Sequence, residues 1–326
     1  MDFELITLAD ISKVLLLNYL LGVLALLIAI VLDWMLGEPR RFHPLIGFGY
    51  IARRLEFYLN RYNDCSATGL RWLGIVALLL ALLPPLLIIS LLLFSTDSVI
   101  ITLCIEIVVI YLALGHRSLY EHAYPIYRAL QQGDSESARE LTSMMVSRDT
   151  ATLNIHKAAT ESVLENGNDA VFATLFWFML AGVPGVIIHR LVNTLDAMWG
   201  YRTVEYRHFG WAAARLDDVL NYFPARLTAL TYALLGKTRV ALHCWHQQAR
   251  HWDSPNAGPV MAAGAGALGV SLGGRACYQG QWHERHVLGI GNAPNNQTIL
   301  QSLNLVHHGV LLWLVVYLTV SVIAHV

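Results

Sequence analysis

The chain has 326 residues, of which 56% are hydrophobic and only 14% charged, and its formal net charge is -1 at pH 7. A soluble domain carries roughly a quarter charged residues, so the composition reads as an integral membrane protein. The near-zero charge excludes a nucleic-acid partner, which needs a basic face. Cys65, Cys104, Cys244 and Cys277 stand far apart with no C-x-x-C pair, which suggests neither a zinc site nor a disulfide framework.

The first ten residues, MDFELITLAD, are acidic, and no small-residue cleavage site follows the first apolar run. That run reads as a retained anchor and not a removed signal peptide. Segments 14–32, 72–94 (with Pro84 and Pro85 inside) and 303–324 reach spanning length with little or no charge. Segment 99–114 is shorter and carries Glu106. Six Lys/Arg fall between residues 37 and 71, and fifteen between 115 and 304. The positive-inside rule then makes both regions cytoplasmic, and four crossings leave both termini outside. On this reading residues 1–326 form one membrane-embedded domain. Within it, 37–71 is a cytoplasmic loop and 115–304 a mainly cytoplasmic catalytic region.

Residues 170–188 complicate the scheme. They are uncharged and long enough to cross, but a lone crossing would strand Arg190, Arg202, Arg207 and Arg215 outside. The preferred reading is a re-entrant or buried helical hairpin, broken near Gly182 and Pro184-Gly185. Its rival is a pair of crossings with 222–235 as the return, which would have to bury or snorkel Arg226. No β-type alternation is visible, and amphipathic stretches such as GDSESARELTSMMV are helical, with Asp134 or Ser135 as the cap. The expected architecture is all-α and polytopic, with about four to five transmembrane helices and large cytoplasmic helical segments.

In SRDTATLNIHKAATESVLENG, Asp149 or Thr150 is a good N-cap and Gly167 a good stop for a helix of about sixteen residues. Lys157, Glu161 and Glu165 share one face at i, i+4 spacing, the pattern of a solvated salt-bridge stripe. Asp169 lies beyond the stop, so spacing does not join it to that stripe.

In 191–230, Asn193 and Asp196 share a helix face, as do Arg215, Asp218 and Asn221 or Tyr222. Polar groups held against Trp, Phe and Leu must be satisfied. Either they form a structural network, or carboxylates hold Mg²⁺ and arginines hold phosphate. Asp33, Glu38 and His43 lie where the first span leaves the bilayer, with Pro39 and Pro44 imposing extended turns.

Three patterns are decoys. GKT at 236–238 has Thr231 where a phosphate-binding loop needs glycine, and no strand precedes it. GAGALG at 264–269 lies in a small-residue apolar run suited to helix packing. The fourteen histidines form no H-x-x-x-H zinc pair.

The strings DWMLGEPRRFHPLIGFG, HRSLYEHA, VSRDT, ESVLENGNDA, NTLDAMWGYR, FGWAAARLDDVLNYFPARLTAL and SPNAG occur in this order. Over roughly residues 25 to 290 they closely resemble the CobD/CbiB family of cobalamin biosynthesis, the adenosylcobinamide-phosphate synthases. The resemblance implies an amide synthase of the bacterial inner membrane. Such an enzyme joins a propionate of the corrinoid adenosylcobyric acid to aminopropanol or aminopropanol phosphate, with ATP as cosubstrate and Mg²⁺ as the helper ion.

Family motif positions fall on Asp33, Gly37, Pro39, His43, Pro44, Arg148, Asp149, Glu161, Glu165, Asn166 and Asp169. They continue at Asn193, Asp196, Arg215, Asp217, Asp218, Arg226 and Asn256. On that basis Glu161, Glu165, Asp169, Asp196, Asp217 and Asp218 are expected to include the Mg²⁺ ligands. Glu165 and Asp218, with His43 as second choice, are candidates for the base that takes the ammonium proton. Arg148, Arg202, Arg215 and Arg226, with Asn193 and Asn256, are expected to hold substrate and phosphate groups.

The apolar hairpin would receive the flat corrin near the bilayer surface. Thr174 stands where the family commonly has proline, and Pro259-Val260-Met261 replaces a usual Trp-Pro-Glu. Two rival readings use the same scaffold: a non-catalytic, AmpE-like membrane regulator, and a corrinoid-binding or transport protein. A homo-oligomer, or a complex with later enzymes of the pathway, is compatible with each.

Overall fold

Uninterrupted runs of Leu, Ile and Val build the longest elements, α1 (Leu8–Leu36), α3 (Ala67–Phe94) and α13 (Asn296–Ile323). The computed structural model describes residues 8–323 apart from 40, 42, 62, 63, 147 and 279, with the helical backbone alone for 8–16 and 18. Leu79, Leu80, Leu83, Leu87, Ile88 and Leu91 form an outward apolar face on α3. Such a face suits hydrocarbon, where only satisfied helical backbone can stand. Among the described residues, five helical stretches are long and apolar enough to cross a membrane: Tyr19–Leu36, Ala67–Phe94, Val99–Gln131, Ile155–Trp199 and Asn296–Ile323. The protein is an all-α, polytopic membrane protein, as the sequence implies.

Shorter helices sit between these. His43, extended because Pro44 follows it, caps α2 (Pro44–Leu59) by accepting the Leu45 N–H at 3.2 Å. α4 (Val99–Ala113) ends before Gly115, where α5 (His116–Gln131) begins. The buried Asp33 carboxylate reaches from α1 to accept the Arg117 N–H at 2.8 Å in the first turn of α5. Asp134 caps α6 (Ser135–Ser143) through the Ser137 N–H at 3.0 Å, as expected.

The acid-bearing helix differs from expectation at both ends. α7 (Ile155–Asn166) is capped by Asn154, which accepts the Lys157 N–H at 3.1 Å, while Thr150–Thr152 forms a separate 3₁₀ turn after Asp149. Gly167 does not stop it. Its φ of -55° and ψ of -41° are right-handed helical, and the chain runs on through a π-helical segment, Gly167–Phe172, into α8 (Ala173–Trp199). The glycine serves close packing instead, since a Cβ there would lie 2.3 Å from the Tyr232 hydroxyl and 2.8 Å from Val306.

α8 breaks at Gly182, whose φ of 60° and ψ of -151° are open to glycine. A Cβ on Gly185 would lie 2.6 Å from the carbonyl oxygen of Trp177. Eight residues of continuous helix would separate these by about 12 Å, so the chain has doubled back. Residues 170–188 therefore fold into two helical arms that reverse at Gly182.

Two apolar cores flank this hairpin. The larger joins α1, α4, α5, α7, α13, α10 (Tyr222–Leu235), α11 (Thr238–Gln248) and α12 (Ala257–Leu268). The smaller joins α2, α3, α9 (Trp211–Leu220) and the second arm of α8 around Trp199 and Phe209, whose rings meet edge-on at 5.1 Å. The GAGALG run lies in buried α12, with Gly264 against Leu164 and Gly266 against Ala241, which is helix packing. Two small antiparallel ribbons follow: β1 (Leu272–Gly273) with β4 (Val287–Leu288), and β2 (Ala276–Tyr278) with β3 (Gln281–His283). Strands of two or three residues are too short for an alternation to register in the sequence.

Candidate active site

A cavity of about 450 Å³ opens where α7, the π-helical segment, the second arm of α8, α9 and the start of α12 meet. Six carboxylates line it: Glu165, Asp169, Asp196, Asp217, Asp218 and Asp253. Arg202 is the one cationic side chain in its lining among the described residues. The hairpin explains part of this convergence. Asp169 precedes its first arm and Asp196 lies on its second, so the reversal at Gly182 brings them to one mouth. The π-helical segment carries Asp169 on from α7 in place of the expected stop.

Buried carboxamides fix the acids. Asn221 donates to Asp217 Oδ2 at 3.0 Å, and Asn193 to Asp217 Oδ1 at 3.4 Å. Asn168 donates to Asp169 Oδ1 at 2.8 Å and to Asn221 Oδ1 at 3.3 Å, and itself accepts from Thr228 at 3.0 Å. Asn256 donates to the Asp218 carbonyl at 2.8 Å. A Cβ on Gly200 would lie 2.1 Å from Asp196 Oδ1, so this wall needs glycine. Burial pushes Asp217 up to about 6, opposed by the Asn221 and Asn193 hydrogen bonds and reinforced by the charge of Asp218. Burial also raises Asp218, against the pull of Arg215 and Arg202.

All-oxygen, mostly anionic donors are the set that suits a hard divalent cation. Among the described residues no three His, Cys, Asp or Glu side chains close on one point as a preformed metal shell. The donors line the wall of the cavity without being gathered into such a shell.

Several expected site residues lie elsewhere. Glu161 is buried beside the β ribbons, ion-paired with Arg148 and with Arg285 at 3.0 Å, and accepts the Gly273 N–H at 2.7 Å. Its oxygens are engaged by these partners, Arg148 is held by it, and neither residue lines the cavity. The solvated stripe of Lys157, Glu161 and Glu165 does not form either, since Lys157 reaches the Gly273 carbonyl at 3.0 Å. Arg226 anchors the loop before α12, donating to Asn256 Oδ1 at 2.7 Å and the Pro255 carbonyl at 2.9 Å.

Arg215 is largely exposed, 3.8 Å from Asp218, on an adjoining groove of about 590 Å³ that shares Asp253 and Pro255 with the cavity. His43 caps α2, with Nε2 3.8 Å from Glu38, and does not line the cavity. Sequence reasoning missed Asp253 and Asn168. Their signals were slight: each adjoins a family string or lies inside one, at HWDSPNAG and ENGNDA.

The family model described as CobD/Cbib protein matches residues 26–306. The chain is 56% identical over 293 residues to the cobalamin biosynthesis protein CobD of Stutzerimonas stutzeri, covering 89% of this chain and 95% of the relative. It is 49% identical over 306 residues to that of Chromobacterium violaceum, covering 91% and 96%. To that of Mycobacterium tuberculosis strain CDC 1551 it is 38% identical over 276 residues, covering 82% and 86%. No solved structure matches the chain.

Proposed function

Because the chain belongs to the CobD/CbiB family and serves cobalamin biosynthesis, we propose that it is an ATP-dependent amide ligase. It would convert adenosylcobyric acid to adenosylcobinamide or its phosphate by joining a corrin propionate to aminopropanol or aminopropanol phosphate. The observation that carries this reading is the convergence of five acids singled out in the sequence, from four separate elements, on one cavity. A purely structural network would pair those acids with cations, and here one arginine faces six carboxylates.

A carboxylate does not acylate an amine at neutral pH, because oxide is a poor leaving group. Transfer of the terminal phosphoryl group of ATP to the propionate oxygen releases ADP and gives an acyl phosphate. Attack by the amine nitrogen forms the C–N bond, releases phosphate and leaves one proton to be taken up. Asp218 or Glu165, whichever does not hold the cation, accepts that proton. Arg202 within the cavity and Arg215 on the shared rim take phosphate charge. Glu165, Asp169, Asp196 and Asp218 would hold Mg²⁺, which supplies compensation for polyphosphate charge. Asp217, clamped by two asparagines, keeps the neighbouring acids in place.

The hairpin supplies a water-poor wall for the corrin, which protects an acyl phosphate from hydrolysis. The basic segments 37–71 and 115–304 lie on the cytoplasmic face of a bacterial inner membrane.

The test is to incubate purified protein in detergent with adenosylcobyric acid, MgATP and either amine, and to weigh the corrinoid product by mass spectrometry. A mass gain equal to the amine less water supports the ligase. Corrinoid binding with no mass change under any amine would replace it with a carrier or regulator.

A further inference from the structure

A second cavity, of about 250 Å³, lies on the far side of the acid-bearing helix. Glu165 and Asp169 face the acidic cavity, while their neighbours Asn166 and Ala170 face this one. One helix is therefore the partition. Ser118, His122, Ser162, Glu38 and Arg190 add to the polar lining, and Leu112, Leu114 and Leu119 with the Met144-Met145 pair form the apolar lining.

Arg190 sits on the second arm of α8 and is the one cation fixed by charge in this lining among the described residues. Its Nε is buried with no hydrogen-bond partner. Glu38 and Asp169 are the carboxylates whose charges reach it. Neither forms an ion pair with it: Glu38 is engaged by Ser118 at 2.7 Å and by His43 at 3.8 Å, and Asp169 by Asn168 at 2.8 Å. A guanidinium stays charged at any working pH. Arg190 is half-buried, and holding its guanidinium partly out of water without a hydrogen-bonded counter-ion carries a cost that is removed by an anion that enters and pairs with it. A planar fork of N–H groups matches the edge of a phosphate. The volume is below the ~300–1,000 Å³ typical of drug-sized ligands, so the occupant is small.

We propose that Arg190 is the anchor of a phosphate-binding site, separate from the acidic cavity and on the opposite side of the α7–π partition. Its ligand is a phosphate group, either inorganic phosphate or the phosphate of a small ester whose alkyl part lies against the leucines and methionines. The site deepens the ligase reading only in naming the source of that phosphate.

Binding is measured without turnover, so it can fail while the ligase assay succeeds, and the reverse. Detergent-purified wild type, Arg190→Met and Arg190→Lys are titrated calorimetrically with inorganic phosphate, aminopropanol phosphate and aminopropanol, and their melting temperatures are recorded. Wild type is expected to bind the two phosphate-bearing probes and not aminopropanol. Arg190→Met should lose at least tenfold in affinity while melting at or above the wild-type temperature, because a half-buried charge without an ion-pair partner has gone. Arg190→Lys should keep part of the affinity.

Tighter binding of the ester assigns the site to an ester, and equal binding assigns it to free phosphate. Asp218→Ala, across the partition, should retain the binding. The proposal is overturned if wild type binds neither phosphate probe, if Arg190→Met binds them undiminished, or if Arg190→Met melts well below wild type, which is the signature of a structural arginine.

Discussion

Glu161 and Glu165 stand one turn apart on α7 and have opposite surroundings. Glu161 is held by two arginines and a backbone N–H, and fastens α7 to β1 at Gly273. Glu165 opens onto a cavity where five further carboxylates face a single arginine. Spacing along the helix assigns both to one stripe, and only the partners from elsewhere separate them. A buried acid supplied with its cations is a structural part, whereas acids that outnumber their cations leave negative charge for a ligand to neutralise.

Substitutions can break this contrast. The largest expected effect is on turnover: Glu165→Ala or Asp218→Ala should lower adenosylcobyric acid consumption about 10²–10⁴-fold with little change in melting temperature. Undiminished turnover in both would remove the cavity from the reaction. Glu161→Ala should do the reverse, costing about 3–5 kcal/mol of stability by leaving two arginines buried and unpaired. Denaturant or thermal unfolding in detergent measures it, and a wild-type melt would contradict the structural role. Gly182→Ala should cost about 1–3 kcal/mol through its left-handed φ, with activity falling in step with folded protein.

The smallest effect is a pH slope. Asp217 is raised from 3.8 to about 6, so between those values the folded chain keeps a proton that the unfolded chain has lost. Its contribution to stability therefore falls as pH rises from about 4 to about 6 and is flat above. Melting in cation-free buffer should show the slope, and Asp217→Asn should flatten it; an unchanged slope would place the proton elsewhere.

Much of this was readable from the chain. The family motif positions singled out Glu165, Asp169, Asp196, Asp217 and Asp218, all of which share one cavity, whereas the rule that polar groups in apolar helices must be satisfied pointed by itself only to the 191–230 stretch with Asp196 and Asp218. The hairpin was legible because Gly182 and Pro184-Gly185 interrupt an uncharged run among arginines. Glu161 was misassigned for a physical reason: Arg285, one of its partners, lies 124 residues away, and no local spacing reveals such a pair. Gly167 misled because glycine serves both as a helix stop and as a thin place for a neighbour, and the neighbours are Tyr232 and Val306. Arg226 was assigned to phosphate by its charge, while its hydrogen bonds go to the loop at Pro255-Asn256.

The wall between the two chambers is one helix thick, about 10 Å across. Over that distance water and salt would mute an interaction between charges, but the intervening matter is protein and screens far less. A cation loaded on the acidic side and an anion on the Arg190 side would attract each other through the α7–π wall. Filling either chamber would then tighten the other, and no domain has to move for the two occupants to sense each other.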